Sequence, residues 1–171
     1  CGAYQFAGQL VETFASYHRQ NYGGCQGGVS DVIIGATVAM AEYNGVARAS
    51  HIRDKIVEMV HLTETLYAGS IACSAEGRRT PSGAYFVDPL LANVLKQNVT
   101  RFIYEICRLA HDIAGGLIAT LPSERDLRHP EIGKYVDKYF RGVADVPTLR
   151  AGLPVRAEVS GPDHGERRDL P

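Results

Sequence analysis

The sequence predicts an all-α fold, an antiparallel helical bundle, on three observations. Apolar residues recur at helical spacing in one segment after another. No segment alternates well enough to be a strand. The breaks between segments are short and rich in Gly, Asn, Asp and Pro, which favours antiparallel neighbours. With 171 residues the chain can bury roughly 70% of its unfolded surface in one domain.

The first helix is expected over 4–22, where Phe6, Ala7, Leu10, Val11, Phe14, Tyr17 and His18 keep helical spacing. This places His18 on or beside the buried stripe. Gly23 can adopt the left-handed conformation that ends helices, so a stop is expected near Tyr22. Ser30 or Asp31 can cap a second helix running to about Asn44. Its run over 32–40 is apolar nearly all round, which predicts a place at the centre of the bundle. Asn44-Gly45 stops it. A third helix is expected over 50–76, with Ile52, Ile56, Met59, Val60, Leu66 and Tyr67 as its inner face. Its end, over 68–75, is rich in small residues and would admit a close neighbour.

Residues 77–85, with Pro81-Ser-Gly, read as a loop. Asp88-Pro89 opens the longest helix, with Asp as cap and Pro in the first turn. Leu91, Val94, Leu95, Phe102, Ile106, Leu109 and Ile113 form its core stripe, and Gly115-Gly116 ends it. Residues 120–127 read as a loop or short turn in which Ser123 and Asp126 suit a capping box. A last helix follows His129-Pro130 and ends near Arg141. The helical domain is expected over 1–143. Residues 144–171 contain four of the eight prolines and no aromatic residue, and are expected to form a poorly ordered tail.

Charge and cysteine usage narrow the function. The net charge is −1, with 18 basic and 19 acidic residues and no basic cluster, so no nucleic-acid partner is expected. No signal peptide and no membrane-spanning run is visible. Cys1, Cys25, Cys73 and Cys107 lack close-paired spacing, which points to a reduced, cytoplasmic setting and not to a disulfide framework. Cys1 in place of Met, almost directly before a helical pattern, leads us to expect a piece of something longer.

The segment Ser16-Tyr-His-Arg-Gln-Asn-Tyr-Gly-Gly-Cys25 holds the candidate site. If the helix stops at Gly23, the chain turns and Cys25 swings back toward His18. One imidazole and one thiolate then meet at a common point, half of a tetrahedral metal or iron–sulfur site. Spacing alone favours the plainer alternative, a core histidine and a small buried cysteine. Tyr22 lies one turn beyond His18 and faces the same way. Cys73 and Cys107 read as core cysteines, His61 and His111 as packing or edge residues, and Glu64 and Glu105 as solvated carboxylates.

The segment from Phe14 to Cys25, and Gly115-Gly-Leu-Ile-Ala-Thr-Leu-Pro-Ser-Glu-Arg-Asp-Leu-Arg-His-Pro-Glu-Ile-Gly-Lys-Tyr135, resemble the 4-hydroxybutyryl-CoA dehydratase family, whose members are also vinylacetyl-CoA delta-isomerases. The likeness covers residues 1–143. The broader group includes flavin-dependent 4-hydroxyphenylacetate 3-monooxygenases and is similar in fold to acyl-CoA dehydrogenases. The resemblance implies a helical domain like the C-terminal domain of acyl-CoA dehydrogenases. It implies two cofactors, FAD and a [4Fe–4S] cluster held by one histidine and three cysteines. His18 and Cys25 match the histidine and one of the cysteines as metal ligands, and two further ligands lie outside this chain. Tyr22 matches an active-site tyrosine, so His18 and Tyr22 are the implied catalytic residues. Gln26 stands where the family often has lysine.

The implied reaction takes an acyl-CoA substrate, 4-hydroxybutyryl-CoA, to crotonyl-CoA and water in a homotetrameric enzyme. From its place after the bundle, a role near flavin or CoA is the alternative to a plain capped turn for the 120–126 loop. Two competing functions are an aromatic monooxygenase domain, which has no use for iron ligands, and a non-catalytic helical assembly module.

Overall fold

The computed structural model describes residues 2–143, with the backbone alone at 118–119. The C-terminal stretch expected as a tail lies outside the described residues. Six helices and one small hairpin follow in order: α1 (Tyr4–Tyr43), α2 (Ser50–Ala75), β1 (Arg78–Arg79), β2 (Tyr85–Phe86), α3 (Pro89–Ile113), α4 (Leu117–Thr120), α5 (Glu124–Arg128) and α6 (Gly133–Phe140). The all-α expectation holds. Among the described residues, 2–32 and 57–108 form one compact unit, and 33–56 with 109–143 form another.

The first unit packs on α3. Leu66, Leu95 and Val99 are buried together, with Tyr22 and Phe102 against them. Cys73, Val87 and Ala92 form a second cluster with Leu91. Asp88 caps α3 as expected, its Oδ1 accepting the Leu91 N–H at 2.7 Å. The hairpin pairs Arg78 with Phe86 and Arg79 with Tyr85, antiparallel. These strands correct the expectation of a bare loop. Each has two residues, too few for alternation to show in sequence. The Tyr85 hydroxyl fastens the hairpin by donating to the Ser74 carbonyl at 2.8 Å.

A larger correction concerns Gly23 and Gly24. The helix does not stop there, and α1 runs unbroken for 40 residues. The expected second helix is its continuation. A glycine ends a helix only when its backbone turns left-handed and the closing hydrogen bonds form. That happens at Gly45, with φ 72°. Val46 N–H then reaches Ala41 O at 2.9 Å and Gly45 N–H reaches Glu42 O at 2.9 Å. Gly115 repeats the pattern at the end of α3, with φ 69°. Gly23 instead gives room to a neighbour. A methyl group there would lie 2.5 Å from Leu95 Cδ2 and 2.9 Å from its Cγ. Ser30, expected as a cap, turns its hydroxyl back to Gln26 O at 2.8 Å inside the helix.

The buried face of α1 also differs from the expected one. Ser16, Gly23, Gly27 and Ser30 are buried, whereas Phe6, Leu10 and Phe14 are 76%, 71% and 68% exposed. Val32 is exposed too, so the 32–40 run is not enclosed on all sides. On α2, Ile52, Met59 and Leu66 are buried as expected, but Val60 and Tyr67 are exposed. Val94 on α3 is exposed as well. Periodicity shows which residues share a face. Burial also requires something to cover that face.

In the second unit Met40, Ala114 and Leu121 are buried together against Tyr43 and Phe140. Lys55 pairs with Asp112 at 2.5 Å. The Ser123–Asp126 capping box forms as expected and starts α5. Hydrogen bonds from the Ser123 side chain and backbone hold the Asp126 carboxyl below its usual range.

Two predictions follow from this packing. Gly23→Ala lowers stability by about 1–3 kcal/mol through overpacking on Leu95. Gly24→Ala, with nothing within 4 Å of its added methyl, raises stability by about 0.5–1 kcal/mol. Denaturant midpoints of the two variants therefore move in opposite directions. Removing Leu95 as well (Gly23→Ala with Leu95→Ala) gives less than the sum of the two losses. The second prediction concerns acid. Asp126 is lowered in the folded state, so its contribution to α5 is present above its unfolded pKa and is lost as pH falls through the folded value. Cα chemical shifts over 124–128 report that loss, and Asp126→Ala shows it already at neutral pH.

Candidate functional site

The first unit carries a ladder of rings along α1. His18 stacks on Phe14 one turn before it, with centroids 5.8 Å apart and planes at 28°. It stacks equally on Tyr22 one turn after it, at 5.8 Å and 23°. The spacing of four residues produces this ladder, because such side chains lie one above another on a helix. His18 is exposed, and Tyr22 is half-buried. The Tyr22 ring packs on the Leu66–Leu95–Val99 cluster. Lys96 Nζ lies 3.7 Å from its centroid.

Cys25 is exposed and follows His18 by seven residues, which in a continuous helix is nearly two full turns on the same face. The unbroken helix therefore corrects the expected convergence. His18 and Cys25 stand about 10.5 Å apart along the axis. They do not meet at a point. One ion with ligand bonds of about 2 Å is not held by this pair. The donor types, one imidazole and one thiolate, are ones that an iron–sulfur group takes. No set of three or more His, Cys, Asp and Glu able to hold a metal occurs among the described residues. Further ligands would have to come from elsewhere.

The other sequence candidates stay outside this face. Cys73 is buried, and its thiol donates to Asp88 O at 3.3 Å. Burial first, and the Asp88 carboxylate second, push that thiol up from its ordinary pKa. Burial does the same to Cys107. His61 and Glu64 are exposed, and His111 is half-buried. Glu105 receives two hydrogen bonds from Arg108, at 2.6 and 2.8 Å, which lower its pKa.

Gln20 points to the other side of α1. There it joins Tyr67, Ser70, Ile71, Ser74 and Tyr85 around an open cleft of about 560 Å³. Its amide donates to Ser74 Oγ at 2.9 Å. Sequence reasoning missed this cleft and missed Lys96. Both arise from residues far apart in the chain, and no spacing announces them.

The 4-hydroxyphenylacetate 3-hydroxylase C-terminal family (HpaB) matches residues 7–150. This chain belongs to that family. Its relatives within reach differ sharply in likeness. The 4-hydroxybutyryl-CoA dehydratase/vinylacetyl-CoA-Δ-isomerase of Clostridium aminobutyricum is 57% identical, over 82% of this chain and 30% of its own length. The structure of an oxygen-tolerant archaeal 4-hydroxybutyryl-CoA dehydratase from N. maritimus matches with TM-score 0.83 and 53% identity, over 91% of this chain and 31% of that one. The HpaB oxygenase component of 4-hydroxyphenylacetate 3-monooxygenase, solved in complex with FAD, shares the fold at TM-score 0.67. It is only 21% identical, over 78% of this chain and 29% of that one. The chain thus spans about a third of the length of each of these HpaB-family proteins. No helix among the described residues is long and apolar enough to cross a membrane.

Exposure orders the thiols of this HpaB-family chain. A maleimide reagent is expected to modify Cys25 ahead of Cys73 and Cys107, as mapped by peptide mass spectrometry. Equal rates at Cys25 and Cys73 would contradict the outward face assigned to Cys25.

Proposed function

We propose that this chain is the helical domain of a dehydratase that converts 4-hydroxybutyryl-CoA to crotonyl-CoA and water and also isomerises vinylacetyl-CoA. The observation that carries the reading is that His18, Tyr22 and Cys25 share one face of α1, with His18 and Cys25 exposed on it. The relatives support it. Identity is 57% to the Clostridium dehydratase/isomerase and 21% to the oxygenase structure. An oxygenase has no use for a histidine and a cysteine set to bracket an inorganic group. A pure assembly module has no use for the ring ladder either.

In this reading His18 and Cys25 would be two of the ligands of a [4Fe–4S] cluster, and the two remaining ligands would come from protein beyond this chain. Together with FAD, the group supplies one-electron exchange and a Lewis-acidic iron, which make a scarcely acidic C–H β to the thioester removable. The imidazole is the neutral member of the ligand set. It is also the member able to accept a proton when free of iron. The Tyr22 hydroxyl, one turn away on the same face, hydrogen-bonds the substrate hydroxyl or passes it a proton. The ring ladder keeps both groups in register.

Assembly as a homotetramer belongs to the same reading and is supported by exposed Phe6, Leu10 and Phe14, which need cover. A cytoplasmic place is supported by free Cys25, Cys73 and Cys107.

The test uses holoenzyme purified without oxygen. His18→Ala and Cys25→Ser are each expected to lose most of the iron. Tyr22→Phe is expected to keep its iron while kcat falls by about 100-fold or more. Wild-type iron in both ligand variants would overturn the reading.

A further inference from the structure

We propose that Lys96 is a positioning residue for the α1 site, holding the Tyr22 ring and through it the His18 imidazole. The inference rests on the reading of His18 and Tyr22 as site residues. His18 stands on an exposed face, and its ring contacts, Phe14 and Tyr22, both belong to α1. A ladder made only of neighbours on one helix is free to change rotamers together. Tyr22 is the rung with an anchor beyond α1. Its ring meets the Leu66–Leu95–Val99 cluster and the Lys96 ammonium, 3.7 Å from the ring centroid.

The two anchors arise from one crossing. Gly23 follows Tyr22, and Lys96 follows Leu95. When Leu95 seats on Gly23, the next residue of α3 is brought over the preceding residue of α1. Apolar contact holds the position of a ring but leaves its plane free to tilt. A cation prefers the ring face, so it selects the plane as well. Lys96 forms no ion pair among the described residues, which leaves its charge to this contact. The plane of Tyr22 then sets the plane of His18, which stacks on it at 23°.

Two variants separate charge from bulk. Lys96→Met keeps the length of the side chain and removes the cation, and Lys96→Arg keeps the cation. In the 171-residue chain with labelled Tyr and His, Lys96→Met is expected to lose the Tyr22–His18 ring NOEs, and Lys96→Arg to retain them. In holoenzyme, Lys96→Met is expected to lower kcat about tenfold with KM within about twofold, and Lys96→Arg to restore it. Intact ring NOEs in Lys96→Met would overturn the inference, as would equal losses in the Met and Arg variants. An impaired Tyr22→Phe enzyme beside a fully active Lys96→Met would sink the inference alone. A fully active Tyr22→Phe would sink the site reading and the inference with it.

Discussion

The seating of Leu95 against two glycines is the contact on which the first unit depends. Leu95 is 2% exposed, and its side chain lies where a methyl at Gly23 would be 2.5 Å away and one at Gly69 3.1 Å away. Glycine inside a helix costs about 1 kcal/mol relative to alanine. At these two positions the cost is offset by close approach, since a bulkier residue on either helix would push α3 outward. The neighbouring Gly24 touches nothing. Two adjacent glycines of identical local propensity therefore have opposite roles, and only their surroundings distinguish them.

That seating also decides what the candidate site can be. Because α1 continues through Gly23, His18 and Cys25 keep a fixed, nearly two-turn separation on one face. A pair so separated does not converge on a single ion. Between Ser16 and Ser30 the buried positions of α1 are small residues, and Phe14, His18 and Cys25 are exposed.

Much of the fold is legible in the sequence wherever a local interaction decides it. Asp88 caps α3, Gly45 and Gly115 close helices, and Ser123 with Asp126 starts α5, each through contacts within a few residues. Ser30 fails as a cap because its hydroxyl has an equally local partner, the Gln26 carbonyl, inside the helix. The hairpin escapes notice because two-residue strands carry no period. Its fastening, Tyr17 and Tyr85 donating to Tyr85 O and Ser74 O, joins residues distant in the chain.

What the sequence determined alone was the helical class, most helix ends, the family-bearing segment and the identity of His18, Tyr22 and Cys25 as residues of interest. Each rests on spacing or on hydrogen bonds between near neighbours, and those travel with the chain. Tertiary structure alone decided that Gly23 is a packing site, that Phe6, Leu10 and Phe14 of α1 face outward, and that Lys96 sits over Tyr22. The reason is that glycine and large apolar residues each satisfy two roles locally. The choice between them is made by whichever side chain arrives from elsewhere in the fold.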